Sequence, residues 1–144
     1  MEPLVLLVVG STLASEVHDR PAAYALRDDL LAWLAERGVL AHERVVVVSD
    51  LWYMCRDDLR TLPAISIGGP EANALTAHLA DKLPGAFVID DLLMVQADLD
   101  FTDLLVACWG VSHDATARAC RAFVDRYLDA FMREAARGLL GAAG

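Results

Sequence analysis

Residues 65 to 76 read ISIGGPEANALT: a short apolar strand at Ile65 to Ile67 runs through Gly68-Gly69-Pro70 into residues spaced as a helix. Glycine at a strand end lets the chain reverse sharply or another backbone come close, and proline suits a first helical position. The spacing predicts that Ala64 to Ile67 is a strand and that Pro70 opens a helix burying Ala72, Leu75, Leu79 and Leu83 until Pro84-Gly85 stops it.

The flanking segments repeat that logic. Leu4 to Val9 and Arg44 to Ser49 are near-continuous apolar runs, the pattern of strands covered on both faces. Between them a polar loop leads to Pro21, and Tyr24, Leu26, Leu30, Trp33 and Leu34 recur at helical spacing until Gly38. Leu51 to Pro63 fits either a strand extension or a short helical turn. Ala86 to Ile89 and Leu92 to Ala97 read as strands joined by Asp90-Asp91, and Leu104 to Trp109 as a last strand ending at Gly110. A long helix follows from Ser112 or Asp114, with Thr116, Cys120, Phe123, Tyr127 and Phe131 on one stripe. Residues 141 to 144 are expected to fray.

Strands alternating with helices predict one α/β domain over residues 1–144, a three-layer αβα sandwich of flavodoxin or Rossmann type. Its sheet should be mainly parallel. The lack of a helix between the apolar runs of 92–109 adds an antiparallel strand or hairpin near one edge.

Composition narrows the function. Hydrophobic residues make up 56% of the 144 residues and charged ones 23%, so the chain has material for a core, and no apolar run reaches the roughly 18 to 20 residues of a membrane span. Leu4 to Val9 is short and flanked by Glu2, which reads as a strand rather than a signal peptide. A net charge of −9 opposes binding to nucleic acid or to anionic membranes, both of which need clustered Lys and Arg. Cys55, Cys108 and Cys120 lack metal-ligand spacing and read as reduced core thiols, which points to the cytoplasm.

In an open α/β sheet, ligands sit beyond the carboxyl ends of the strands near a switch in strand order. Three loops qualify: Gly10-Ser11-Thr12, Gly68 to Asn73, and Gly110 to Thr116. Their candidate ligand-binding residues are Ser11, Thr12, Gly68, Gly69, Asn73, Gly110, His113, Asp114 and Thr116. Free amides at a helix start attract phosphate, but Pro70 removes one amide, Glu71 adds negative charge, and none of the loops holds Lys or Arg. Neither GxGxxG nor GxxxxGK[ST] is present, so no cofactor and no metal are expected, and a neutral, hydroxyl-rich or amide-bearing ligand fits better. His113-Asp114 invites a reading of nucleophilic catalysis with Ser11, Ser112 or Cys108, but GxSxG is missing, and the favoured reading is Asp114 as a helix cap with His113 exposed beside it. The acidic pairs at 28–29, 57–58 and 90–91, with Asp98, Asp100 and Asp103, read as turn and cap residues.

Ile67-Gly68-Gly69-Pro70 with Asn73, followed later by Gly110 with Asp114 and Thr116, resembles the GGPxxN-containing domain of archaeal S-layer-related and uncharacterised prokaryotic proteins, over about residues 65–131. In that pattern Asp and Thr are adjacent, whereas here Ala115 separates them. The resemblance implies that Gly68, Gly69, Pro70, Asn73, Gly110 and Thr116 build a shared turn-and-helix-start architecture rather than a catalytic set. With catalytic signatures missing and a mean hydropathy of +0.39, the expected function is a non-catalytic module that binds a protein partner or self-associates as a homo-oligomer. Trp52, Tyr53, Met54, Tyr127, Phe131 and Met132 are its candidate interface residues. The alternative is a small-molecule binder or hydrolase-like enzyme sited at the three loops.

Overall fold

The structure is a computed structural model that describes residues 2–140; the fraying expected of residues 141 to 144 lies outside the described residues. It is an α/β fold on a six-stranded mixed sheet ordered β2-β1-β3-β6-β5-β4. The strands are β1 (Val5–Val9), β2 (Val45–Ser49), β3 (Ala64–Ile67), β4 (Gly85–Ile89), β5 (Leu93–Ala97) and β6 (Leu105–Gly110). β2, β1, β3 and β6 are mutually parallel, while β5 runs antiparallel to both β6 and β4. The hairpin expected around Asp90-Asp91 is present, with Asp90 at φ 41° and the Leu92 amide donating to Ile89 O.

Alternate residues of the strands face two separate cores. Val5, Leu7, Val9, Ile65, Ile67, Val106 and Cys108 pack with α1 (Arg20–Ala35) and α4 (His113–Ala135). Leu6, Val8, Val48 and Ala64 pack instead with Tyr53 of α2 (Asp50–Met54), Leu59 of a 3₁₀ turn, and Leu75 and Leu79 of α3 (Ala74–Leu79). The chain steps from β1 outward to β2 and then back across β1 to β3. Right-handed crossovers in opposite directions put their helices on opposite faces, which accounts for the two cores.

Several local expectations change. The stretch before Pro21 is helical: Ser15–Asp19 forms a π turn in which the Arg20 amide reaches Ser15 O. A π turn takes more residues than the 3.6 of an α-helix, so Ser15 and Asp19, four apart, both stay on the buried side and lead on to Ala23. Tyr24 is exposed and Ala23 takes its place on the stripe. Pro70 does not open a helix; α3 starts at Ala74 with Asn73 as its cap, leaving Ala72 ahead of it and Leu83 beyond. The valines of β2 belong to an edge strand, with Val46 and Val47 only half-buried, and Arg27 covers that edge by donating to Val45 O at 2.7 Å. Cys55 is exposed, unlike Cys108 and Cys120. Tyr53, Phe131 and Met132 are core residues rather than interface residues, whereas Trp52 is exposed. Gly38, at φ 80°, ends α1 as expected: its amide and that of Val39 return to Ala35 O and Leu34 O in a Schellman closure.

α1 and α4 lie side by side, tied by contacts in parallel register. Asp19 meets His113, Asp29 meets Arg121, and Asp129 accepts from Trp33 Nε1 at 3.0 Å. Among the described residues, no helix is long and apolar enough to cross a membrane.

Burial raises the Tyr53 hydroxyl above its ordinary value, partly offset by the nearby Arg60 charge. A raised folded-state value stabilises the fold fully below the unfolded tyrosine pKa of about 10 and loses that contribution as pH rises through the folded value. Chemical denaturation between pH 9 and 12 should therefore show stability falling above about pH 10, with a shallower fall in Tyr53→Phe.

Candidate functional site

β1, β3 and β6 end beside one another, and the loops that leave them form one edge of the sheet. Buried Asn73 joins the first two. Its Nδ2 donates to Val8 O at 3.0 Å and Ile67 O at 2.9 Å, while its Oδ1 accepts from the Leu75 and Thr76 amides at the start of α3. One side chain thus holds two strand ends and caps a helix. Gly10 lets the Gly68–Asn73 loop cross above β1, since a Cβ there would stand 2.1 Å from Ala72 O. Gly68 holds φ +116°, a backbone region closed to side chains with a Cβ.

Asp50 closes the arrangement on the β2 side. Its Oδ1 accepts from Ser11 Oγ at 2.5 Å and from the Leu51 amide at 2.7 Å, and its Oδ2 from the Ala74 amide at 2.7 Å. Ser11 is therefore already engaged. Thr12 is too: its hydroxyl pairs with Ser15, and its carbonyl accepts the Glu16 amide at the start of the helix.

On the β6 side, a pocket of about 180 Å³ opens between the Gly69–Ala72 and Gly110–His113 segments, with Asp19 and Thr116 in its wall. Thr116 Oγ1 accepts from the Gly110 amide at 3.1 Å, so that amide is not free to bind a ligand. The helix cap is Ser112, whose hydroxyl accepts from the Ala115 amide, in place of the expected Asp114, which is exposed in the first turn. Of the nine residues singled out from sequence, Gly69, Gly110, His113 and Thr116 line this pocket. Gly68 stands behind it, with its Cβ position 3.0 Å from Asp19 Oδ2. Ser11, Thr12, Asn73 and Asp114 are outside its lining.

Asp19 gives the pocket its chemistry. Its side chain is only 2% exposed and that of His113 is 39% exposed, and Asp19 Oδ1 lies 2.9 Å from His113 Nδ1. An ionised carboxylate only accepts, so Nδ1 carries the proton and Nε2 of a neutral imidazole keeps its lone pair. His18 stacks on the ring at 4.6 Å and 21°, limiting its rotation. The lining contains the Asp19 and Glu71 carboxylates and neither Lys nor Arg, a field that disfavours anions. Among the described residues, no group of three or more His, Cys, Asp or Glu is placed to hold a metal ion.

Asp19, His18 and Asp50 were missed as site residues. Asp19 and His18 lie in the stretch read as a loop; Asp50 carried a signal, as a carboxylate directly after a strand at the edge where ligands bind. Cys108, considered as a nucleophile, is buried beneath α4, where its contact with Cys120, followed by burial, holds its thiol well above the ordinary value. Scanned against protein-family models the chain matches none, and a search of curated proteins finds no match.

Two outcomes follow from these contacts. Asn73→Ala removes two donors to strand-end carbonyls and the cap of α3 and should cost about 2 to 4 kcal/mol, measured by urea denaturation. In the native protein a thiol reagent such as dithionitrobenzoate should titrate Cys55 alone, and all three thiols after unfolding.

Proposed function

We propose that the protein binds a small neutral or cationic polar molecule at the Asp19–His113 pocket, with His113 Nε2 accepting a proton from the ligand or from a water beside it. The observation that carries this reading is the pairing of a buried carboxylate with a half-exposed imidazole at the mouth of a pocket. A carboxylate on Nδ1 fixes the tautomer and orientation a general base needs, as in hydrolases that activate a hydroxyl or water. The pocket, at about 180 Å³, suits a ligand smaller than the usual drug-sized occupant. Hydroxyl, amide or amine groups match its acceptors.

A Rossmann-like, three-layer arrangement goes with this reading, supported by the two cores on opposite sides of the sheet and by a pocket beyond the carboxyl ends of β3 and β6. The GGPxxN resemblance is supported by Asn73 and Thr116, which tie down the starts of α3 and α4. Three free thiols favour a cytoplasmic setting.

A second reading, self-association through this same edge, is favoured by its apolar rim: Leu13, Val17 and Val111 are 80%, 57% and 70% exposed. Sedimentation showing a monomer at high concentration removes it.

Thermal-shift screening with small polyols, amides and amines tests the first reading. A true ligand at a hundredfold excess over its Kd adds about 2.7 kcal/mol, several degrees in Tm. That shift should disappear in His113→Ala and weaken in Asp19→Asn, which reverses the tautomer. A panel without any shift, or a shift that survives in His113→Ala, defeats the proposal.

A further inference from the structure

Further along α4 from that pocket, the helix and the edge strand β4 leave an open groove of about 400 Å³. Its floor is apolar, formed by Phe87, Ile89, Leu93 and Ala122. Its rim holds Arg118, Arg121 and Arg126 against one acidic residue, Asp125, in a chain whose net charge is −9. Arg118, Ala122 and Arg126 are successive i, i+4 positions of α4, so they share one helix face, and the small residue between the two arginines opens the space.

The partners of these arginines set them apart. Arg20, Arg37, Arg56, Arg121, Arg133 and Arg137 each pair with a carboxylate. Arg27, Arg44 and Arg60 donate to backbone carbonyls. Among the described residues, Arg118 and Arg126 alone have neither a carboxylate nor a carbonyl partner, and both border the same groove. Arg126 stacks 4.0 Å above the Phe87 ring, a geometry that leaves guanidinium N–H donors available at its edge.

We propose that this groove binds an amphipathic organic anion, a medium-length alkyl chain bearing a carboxylate or phosphate. Arg118 pairs with the head group, Arg126 adds a second cation, and the chain lies along Ile89, Leu93 and Ala122. Each element of the site answers one part of such a ligand: guanidinium for a planar or tetrahedral anion, and an apolar floor for methylenes. Pairing of β4 with a second copy of the chain suits this edge less well, because a register shift between Gly85 and Phe87 interrupts β4, and such irregularities blunt edge strands.

The test titrates the full chain with decanoate and decyl phosphate, using calorimetry and amide chemical shifts, with decanol and inorganic phosphate as comparison probes. One saturable site is expected for either amphiphile, with shifts centred on Phe87, Ile89 and Ala122. Decanol should bind at least tenfold more weakly and inorganic phosphate not measurably. Arg118→Gln should weaken decanoate about tenfold, and Ala122→Phe, which fills the groove, should abolish binding, with circular dichroism confirming that each variant folds. His113→Ala should leave this affinity unchanged, so failure here and failure of the pocket at Asp19 are distinguishable. The proposal is overturned by no binding at millimolar decanoate, by equal affinity for decanol, or by unchanged affinity in Arg118→Gln.

Discussion

The Asn73 side chain is the contact on which the sheet edge depends. It is buried, and each of its polar atoms has a partner on a different part of the chain: the ends of β1 and β3 on one side, the start of α3 on the other. Backbone groups at strand and helix ends are the ones regular structure leaves unpaired, and burying them without a partner costs about 1 to 3 kcal/mol each. An amide side chain satisfies donors and acceptors together, which neither a carboxylate nor a hydroxyl of similar size does here. With that junction fixed, the Gly68–Asn73 loop can pass directly over Gly10, and Asp50 can bridge Ser11 to the α3 amide at Ala74. The first two loops form one surface because of these bonds.

Charge is segregated across the fold. The pocket between β3 and α4 is walled by carboxylates, whereas the groove between α4 and β4 is rimmed by arginines. Both are served by α4, whose first turn supplies His113 and whose second and later turns supply Arg118 and Arg126. A single 23-residue helix therefore separates two surfaces of opposite preference.

The fold class was legible because the signals that set it are local. Continuous apolar runs in β1, β3 and β6, the glycine turns after them and the long stripe of α4 each specify an element without reference to the rest. The hairpin followed from Asp90-Asp91 for the same reason. What could not be read depends on partners distant in sequence. Val45 to Val48 read as a strand covered on both faces, but strand order puts them at an edge, where Val46 and Val47 are half-buried and Arg27 rather than a neighbouring strand meets Val45 O. Ser15 to Asp19 look like a polar loop because Glu16, Val17 and His18 face outward; the two inward residues are polar and find their partners on Thr12 and His113. The pocket was half legible. Gly69, Gly110, His113 and Thr116 announce themselves as strand-end residues, while Asp19 joins them across 94 positions of sequence.

The Asp19–His113 contact belongs to a series along α1 and α4, together with Asp29–Arg121 and Trp33–Asp129, and a purely structural tie would explain all three. Burial separates the first from the others. Asp129 is 60% exposed and Asp29 is 32% exposed, so water screens them and their contacts contribute little. Asp19 is shielded from solvent while its partner is not. A tie meant only to hold helices together gains nothing from removing the carboxylate from water, where desolvation opposes the ionic form, when an apolar pair at the same positions would pack at lower cost. A hidden carboxylate behind an accessible imidazole holds the ring in one orientation, as the proposed binding role requires. That asymmetry, rather than the bond itself, is what distinguishes the pocket from the rest of the helix pair.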